Sequence, residues 1–243
     1  MNLTIDIGNT RTKLGVFRGD QIVEQEVWEN ANAVKLEKWL YNQRIEKVIL
    51  SSVAKPNRAL TDFLKGRFFF VELTDRTPLP IAIDYETPHT LGKDRIAAVA
   101  GTYALFPGQN CLVIDAGTCI TLDVLTSEGV FLGGNISPGI HMRLQAMHHF
   151  TARLPLVGRK DQPEWVGKST ETAIRNGAQL GATLEVEGFI ERCREQWADL
   201  RVIVTGGDSD FFVRTLKTKI FANPNLVLVG LNKILEHNVQ LLE

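Results

Sequence analysis

Two short runs place an aspartate, a glycine and a small polar residue at the same spacing: Asp6-Ile7-Gly8-Asn9 and Asp115-Ala116-Gly117-Thr118. Each ends an apolar, β-branched stretch, where a strand should stop and a tight turn begin. Glycine at such a turn tolerates positive φ and lets an anion approach the backbone without meeting a Cβ. The aspartate offers the hard oxygen ligand that cations and their water shells accept. Asn9 or Thr118 adds a short polar group, and Lys13 a positive charge near the first turn. One such run is explained by an aspartate capping its own turn. Two of them, both followed by hydroxyl residues, point to the binding of nucleotide phosphates.

A third segment runs Tyr85-Glu86-Thr87-Pro88-His89-Thr90-Leu91-Gly92-Lys93-Asp94-Arg95 and opens the apolar stretch Ile96–Ala100. An acid in a first helical turn offsets the helix dipole, whereas an arginine there opposes it. Asp94 is therefore either a dipole residue or a group typed to accept a hydroxyl proton during phosphoryl transfer. Arg95 calls for an anionic partner, such as a carboxylate held by two parallel N–H bonds. Residue types alone leave these readings open. Gly206-Gly207 follows the apolar Val202-Ile203-Val204 and precedes a helix with Asp208 or Ser209 as N-cap. It reads equally as a tight strand–helix turn or as a backbone surface for a ring or ribose. No G-x-x-x-x-G-K-[ST] run and no protein-kinase signature occurs.

These residues need elements to hold them, and the chain supplies similar ones twice. Leu3–Phe17 and Leu112–Leu125 align on Asp6 and Asp115, 109 residues apart, with Gly8 on Gly117 and Thr12 on Thr121. Both read as a strand, a turn and an antiparallel return strand, and the echo indicates a duplicated unit. After the first hairpin come an expected strand at Gln21–Val27, a helix over Ala31–Asn42, a buried strand at Lys47–Val53, a helix near Asn57–Lys65, and an apolar strand at Phe68–Leu73, of which Phe68–Phe70 reads as buried. After the second come a strand at Gly129–Ile136, helices over Ile140–His149 and Thr170–Trp197, a strand at Arg201–Thr205, a helix at Asp210–Lys217, a strand at Leu226–Leu228 and a final helix. Alternating strands and helices define an α/β architecture with partly parallel sheets. The turn cluster Phe106–Asn110 separates an expected domain 1–108 from a domain 109–243.

Composition limits what this machinery serves. The 243 residues carry 27 basic and 28 acidic side chains, too balanced for a nucleic-acid surface, and 44% hydrophobic residues suit a globular core. No apolar run reaches membrane-span length, and Met1-Asn2-Leu3-Thr4-Ile5 lacks a basic or apolar leader, so a cytoplasmic protein with no membrane or nucleic-acid partner is expected. Cys111, Cys119 and Cys193 form no C-x-x-C pair and read as small buried hydrophobes. Trp165 and Trp197 read as packing residues, and the adjacent His148 and His149 as surface or interface residues. Gly177, Gly181 and Gly188 share a helix face that suits close packing, either within the chain or against a second copy.

The set D6-I-G-N-T-R-T-K13, Y85-x-T-P-x-x-L-G-K-D-R95, D115-A-G-T-C-I-T-L-D123, G133-G-N-I-S-P-G139 and T205-G-G207 resembles the type III pantothenate kinase family, motif by motif and in order. That resemblance implies two duplicated actin-like (ribonuclease H-like) domains, each a mixed sheet flanked by helices. It also implies transfer of phosphate from ATP to the primary hydroxyl of pantothenate, the first step toward coenzyme A, in a homodimer. Carried over by motif, Asp6, Ile7, Gly8, Asn9, Thr10, Arg11, Thr12 and Lys13 would line the ATP phosphates, with Asp6 near Mg²⁺. Asp94 would be the general base, Arg95 would hold the pantothenate carboxylate, Gly92 and Lys93 would complete that loop, and Tyr85 would wall the pocket. Asp115 would bind a monovalent cation, K⁺ or NH₄⁺, Thr118 would touch ATP, and Gly206 and Gly207 would face the adenosine. The family usually has Asn-Thr before an A-I-x-x-G helix, the threonine on substrate. Here the run is Ser169-Thr170-Glu171-Thr172-Ala173-Ile174, so spacing selects Thr170, with Thr172 as competitor and Ser169 or Thr170 as an N-cap alternative. The same fold would also serve a kinase or phosphatase with another small acceptor, or a non-catalytic regulator. The G-K-D-R loop with Tyr85 argues against the first, and the presence of Asp6, Asp94 and Asp115 against the second.

Overall fold

The structure, a computed structural model, describes residues 1–54, 57–160 and 165–242. The chain forms two compact units: Met1–Pro107 with Gly129–Phe131 and Asn225–Glu243, and Gly108–Glu128 with Leu132–Pro224. Neither unit is one continuous stretch, in contrast to the expected cut into 1–108 and 109–243.

In the first unit, β1 (Asn2–Ile7), β2 (Thr12–Arg18), β3 (Gln21–Trp28), β4 (Lys47–Ser52) and β5 (Phe69–Glu72) form a mixed sheet in the order β3-β2-β1-β4-β5. The antiparallel hairpins stand on one side, and the parallel pairs β1/β4 and β4/β5 on the other. Period-two alternation divides β1: Leu3 and Ile5 join a core cluster with Leu36, Leu60 and Leu64. These last three come from α1 (Ala33–Trp39) and α2 (Arg58–Arg67), whose N-caps Asn32 and Asn57 accept Lys35 N–H at 2.9 Å and Leu60 N–H at 3.2 Å. α3 (Lys93–Leu105) completes the middle of the unit, and α7 (Leu226–Gln240) returns to it from the far end of the chain.

That last helix corrects the strand expected at Leu226–Leu228. A short apolar run does not distinguish a buried strand from a buried helix, and here Leu226, Leu231, Ile234 and Leu235 are all fully buried at helical spacing. α3 and α7 cross backbone to backbone: a Cβ on Gly230 would lie 1.7 Å from the Ala97 carbonyl oxygen, and one on Gly101 2.9 Å from Gly230 N. The two-residue strand β6 (Ala82–Ile83) pairs parallel with Val130 and Phe131, all within this unit.

The second unit is built on β7 (Cys111–Ala116), β8 (Cys119–Leu125), β9 (Val130–Pro138, from Leu132 onward), β10 (Arg201–Thr205) and β11 (Phe221–Ala222), in the order β11-β10-β7-β8-β9. Its helices are α4 (Ile140–His149), α5 (Thr170–Arg194) and α6 (Ser209–Thr215). Ile174, Ala178, Ala182, Val186 and Ile190 of α5 form one stripe that packs with Leu112, Ile114 and Leu122 of the sheet.

Several expectations change. Phe68–Phe70 is not a buried strand: β5 is a sheet edge, and Phe69 is exposed. Only Cys111 is buried among the cysteines, Cys119 and Cys193 being half-buried. Trp197 packs on the second core, but Trp165 is exposed. At Gly177, Gly181 and Gly188 no described atom lies within 4 Å of where a Cβ would stand, so packing within the chain does not account for them. Among the described residues, no helix is long and apolar enough to cross a membrane.

Candidate active site

The first hairpin sets Asp6 opposite Lys13 and Ile7 opposite Thr12. Its turn, Gly8 to Arg11, is closed by Gly8 N–H donating to the Arg11 carbonyl at 3.0 Å. Asn9, Thr10 and Arg11 are exposed, Thr12 is buried, and Asp6, Ile7, Gly8 and Lys13 lie half-buried. The exposed tip is a place where backbone N–H groups can meet an anion.

The second hairpin is tighter. Ala116 pairs with Ile120, and Gly117 N–H reaches the Cys119 carbonyl at 2.9 Å. Thr121 therefore stands opposite Asp115, the place Lys13 takes opposite Asp6, and the alignment of Thr12 with Thr121 does not survive in three dimensions. Thr118 is exposed at the tip, and its carbonyl accepts Gly139 N–H at 3.1 Å. Gly139 is the N-cap of α4, and a Cβ there would fall 2.3 Å from the Gly117 carbonyl oxygen. Only glycine lets α4 start against this turn, and a helix start carries partial positive charge suited to phosphate. Gly139 belonged to a quoted motif but had no role assigned from sequence.

Gly206 joins the same neighbourhood. Parallel pairing of β10 with β7 sets Thr205 beside Asp115, and the next residue, Gly206, takes φ +93°. A Cβ there would lie 2.4 Å from the Ala116 carbonyl oxygen and 2.5 Å from Asp115 Oδ1, so both backbone angle and space require glycine. Asp208 N–H then donates to the Ala116 carbonyl at 2.8 Å. Nothing lies within 4 Å of a Cβ on Gly207, which leaves a flat backbone surface there. Asp115, Thr118, Gly206 and Gly207 are thus gathered at the ends of neighbouring strands of one sheet.

In the first unit, a 3₁₀ turn at Pro88–Thr90 leads to Gly92, the N-cap of α3. A Cβ on Gly92 would lie 2.6 Å from Asp94 Oδ1, so glycine leaves room for that carboxylate to fold back over the helix start. Asp94 Oδ1 accepts Arg95 backbone N–H at 2.9 Å and remains half-buried. Lys93 is half-buried as well. Arg95 is only 6% exposed, and its guanidinium lies over the rings of Tyr85 at 5.9 Å and Phe131 at 5.8 Å. Phe131 had no sequence signal, because its place depends on long-range strand pairing.

Thr170 is the first residue of α5, in the second unit, and is exposed. Ser169 is the N-cap and Thr172 closes a capping box, its hydroxyl donating to the Ser169 carbonyl at 3.1 Å and accepting Ser169 N–H at 2.9 Å. The competitor Thr172 is therefore occupied in capping.

The donor set suits hard cations. Among the described residues, no three His, Cys, Asp or Glu side chains gather as a full metal cage. Beside each aspartate is a solvent-shielded hydroxyl without a hydrogen-bond partner: Ser51 Oγ in register with Asp6 on β4, and Thr121 Oγ1 opposite Asp115. Buried hydroxyls seldom stay unpaired, and a cation's water shell would satisfy them.

Comparison with known proteins places this architecture. A ROK family protein from Streptococcus pneumoniae, solved in complex with sucrose, aligns with a TM-score of 0.53 at 12% identity over 98% of this chain and 99% of its own. A Campylobacter jejuni protein described as a candidate Baf family transcriptional activator aligns with a TM-score of 0.64 at 24% identity over 98% and 99%. Two mixed sheets flanked by helices, two of their hairpins opening on D-x-G turns, define the actin-like ATPase fold. A sequence profile described as Type III pantothenate kinase matches residues 2–192. A type III pantothenate kinase of Christiangramia forsetii is 45% identical over 240 residues, covering 98% of this chain and 99% of the relative. The chain belongs to the type III pantothenate kinase family, a family of phosphotransferases.

Proposed function

We propose that this protein transfers the γ-phosphoryl group of ATP to the primary hydroxyl of pantothenate, giving 4'-phosphopantothenate and ADP, with Asp94 as general base. Family membership supports the reaction, and the Gly92–Arg95 segment carries the residue assignment: a carboxylate with room made for it at a helix start, next to a guanidinium held on two rings. Arg95 binds the pantothenate carboxylate through paired N–H donors, and Tyr85, Gly92 and Lys93 complete the acceptor loop. The acceptor hydroxyl loses its proton to Asp94 as its oxygen forms a bond to the γ-phosphorus. The bond from that phosphorus to the β–γ bridging oxygen breaks, its electron pair leaving with ADP.

The turn residues of 6–13 and Thr118 receive the ATP phosphates, and Gly206 and Gly207 the adenosine. Asp6 would hold Mg²⁺ through its water shell, and the ion when bound supplies charge neutralisation on the phosphates. Asp115 would hold a monovalent cation, K⁺ or NH₄⁺. Thr170, exposed at the start of α5, reaches substrate in this reading while Thr172 caps. The reading includes a cytoplasmic homodimer, for which the uncovered Gly177–Gly188 face of α5 is available.

The test mixes protein, ATP, Mg²⁺ and pantothenate and follows ADP in K⁺, NH₄⁺ and Na⁺ buffers. Pantothenate-dependent ADP that is faster in K⁺ or NH₄⁺ supports the reading. Its absence in all three sinks it.

A further inference from the structure

We infer that Arg159 binds the nucleotide: its guanidinium, held by Asp208 and by the ring of Phe211, stacks on the adenine base beside Gly206 and Gly207. This rests on the placing of adenosine proposed above, and goes beyond it by naming the side chain that meets the base.

Arg159 lies in an irregular segment of the second unit, yet its backbone is fixed on both sides. The Gly158 carbonyl accepts Arg175 Nε–H at 2.9 Å. Lys160 exchanges two bonds with the Gln179 amide: its N–H donates to Oε1 at 3.0 Å, and its carbonyl accepts Nε2–H at 2.5 Å. Arg175 and Gln179 are both buried on α5. Buried polar groups need partners, and finding them in these backbone groups ties residue 159 to the helix. The side chain is fixed as well. It donates to Asp208 Oδ1, and its guanidinium lies over the Phe211 ring at 5.5 Å. Asp208 is the N-cap of α6, a position where a carboxylate ordinarily accepts a helix N–H. Here it makes no side-chain capping bond and holds the arginine instead.

Asp208 directly follows Gly207, so the pair brings a planar cation to the rim of the bare backbone surface. Phe211 is fully buried and takes one face of the guanidinium, while 36% of the Arg159 side chain stays exposed for a ligand to cover. A guanidinium stacks on aromatic planes as an ammonium does not, and a nucleobase is such a plane. Phe211, Arg159 and the base then form three layers. The contact acts on affinity for the nucleotide and not on the phosphoryl transfer, which takes place at the other end of that ligand.

The test measures binding of ADP, and of inorganic pyrophosphate, which has no base, to wild type and Arg159→Ala by titration calorimetry with Mg²⁺. The expected result is a Kd for ADP raised about 3- to 30-fold, the range that a partly or fully desolvated cation–ring contact represents. Kd for pyrophosphate and KM for pantothenate at saturating ATP stay unchanged. Arg159→Lys, which keeps the charge and loses the plane, shows the same rise for ADP. If Arg159→Ala does not fold, Arg159→Met, which keeps the length of the stem, carries the same comparison. An unchanged Kd for ADP overturns the inference. Equal loss on pyrophosphate, or full recovery with lysine, also overturns it, since either marks a charge acting on phosphates. A wild-type protein that binds ADP but makes no pantothenate-dependent ADP refutes the proposed function instead and leaves the binding comparison standing, so the two failures are distinguishable.

Discussion

A carboxylate that takes up a proton cannot be replaced by its amide, although the shape is nearly the same. Asp94→Asn keeps an oxygen for Arg95 N–H, now 2.9 Å from Asp94 Oδ1, so thermal unfolding should be unchanged. Turnover should fall on the order of 10²- to 10⁴-fold, the usual worth of a general base. Near-normal turnover would remove Asp94 from that role. Cys111 allows a second prediction at this scale. Burial pushes its thiol from 9.0 to about 11, with the Arg201 charge partly opposing that shift. The unfolded chain ionises first, so the stability contribution is complete below pH 9 and is lost as pH rises through about 11. Within that window each pH unit costs about 1.4 kcal/mol. Urea unfolding across the window should show a shallower decline for Cys111→Ala than for wild type; parallel declines would contradict it. The aspartates, glycines and Arg95 were legible in sequence because their chemical types are rare in combination. Phe131 and Ser51 were not, since a phenylalanine or serine in a strand has no meaning until its neighbour across the sheet is known.

At the scale of elements, the α3–α7 crossing is the least tolerant contact. Gly230→Ala puts a methyl where the Ala97 carbonyl oxygen already stands, 1.7 Å away, and both helices must part. The expected loss is about 1–3 kcal/mol or more, typical of overpacking, read as a lower melting temperature. Gly66→Ala on α2 is the control: nothing lies within 4 Å, and the helix should gain a few tenths to about 1 kcal/mol. Equal melting temperatures for wild type and Gly230→Ala would show that the crossing relaxes without cost. Both hairpins, β4, α4, α5 and β10 follow the sequence pattern because alternation, caps and helical stripes are local signals. Leu226–Leu228 misled because the run is apolar at every position, so neither period stands out. Phe68–Phe70 misled because hydrophobicity alone does not say whether a strand is central or at an edge.

For the whole molecule, the return of α7 decides what folds alone. Leu226, Leu231, Ile234 and Leu235 are fully buried in the first unit, and each contributes roughly 1.5–3 kcal/mol by leaving water. Together that rivals the net stability of a typical domain, about 5–15 kcal/mol. Residues 1–107 expressed alone should therefore show no cooperative unfolding transition, whereas a fragment in which residues 225–243 are linked after 107 should recover one. A cooperative transition in the 1–107 fragment would restore the simple cut near residue 108. By itself the sequence determined the repeated D-x-G turns, the G-K-D-R loop and the α/β class, because each rests on residue type and short-range spacing. Only the tertiary structure decided that α7 belongs with the first sheet, that Thr121 replaces Lys13 opposite its aspartate, and that Phe131 lies on Arg95. Those outcomes depend on which distant segments pair and pack, and the free energy of such contacts belongs to the pair, not to either segment's pattern.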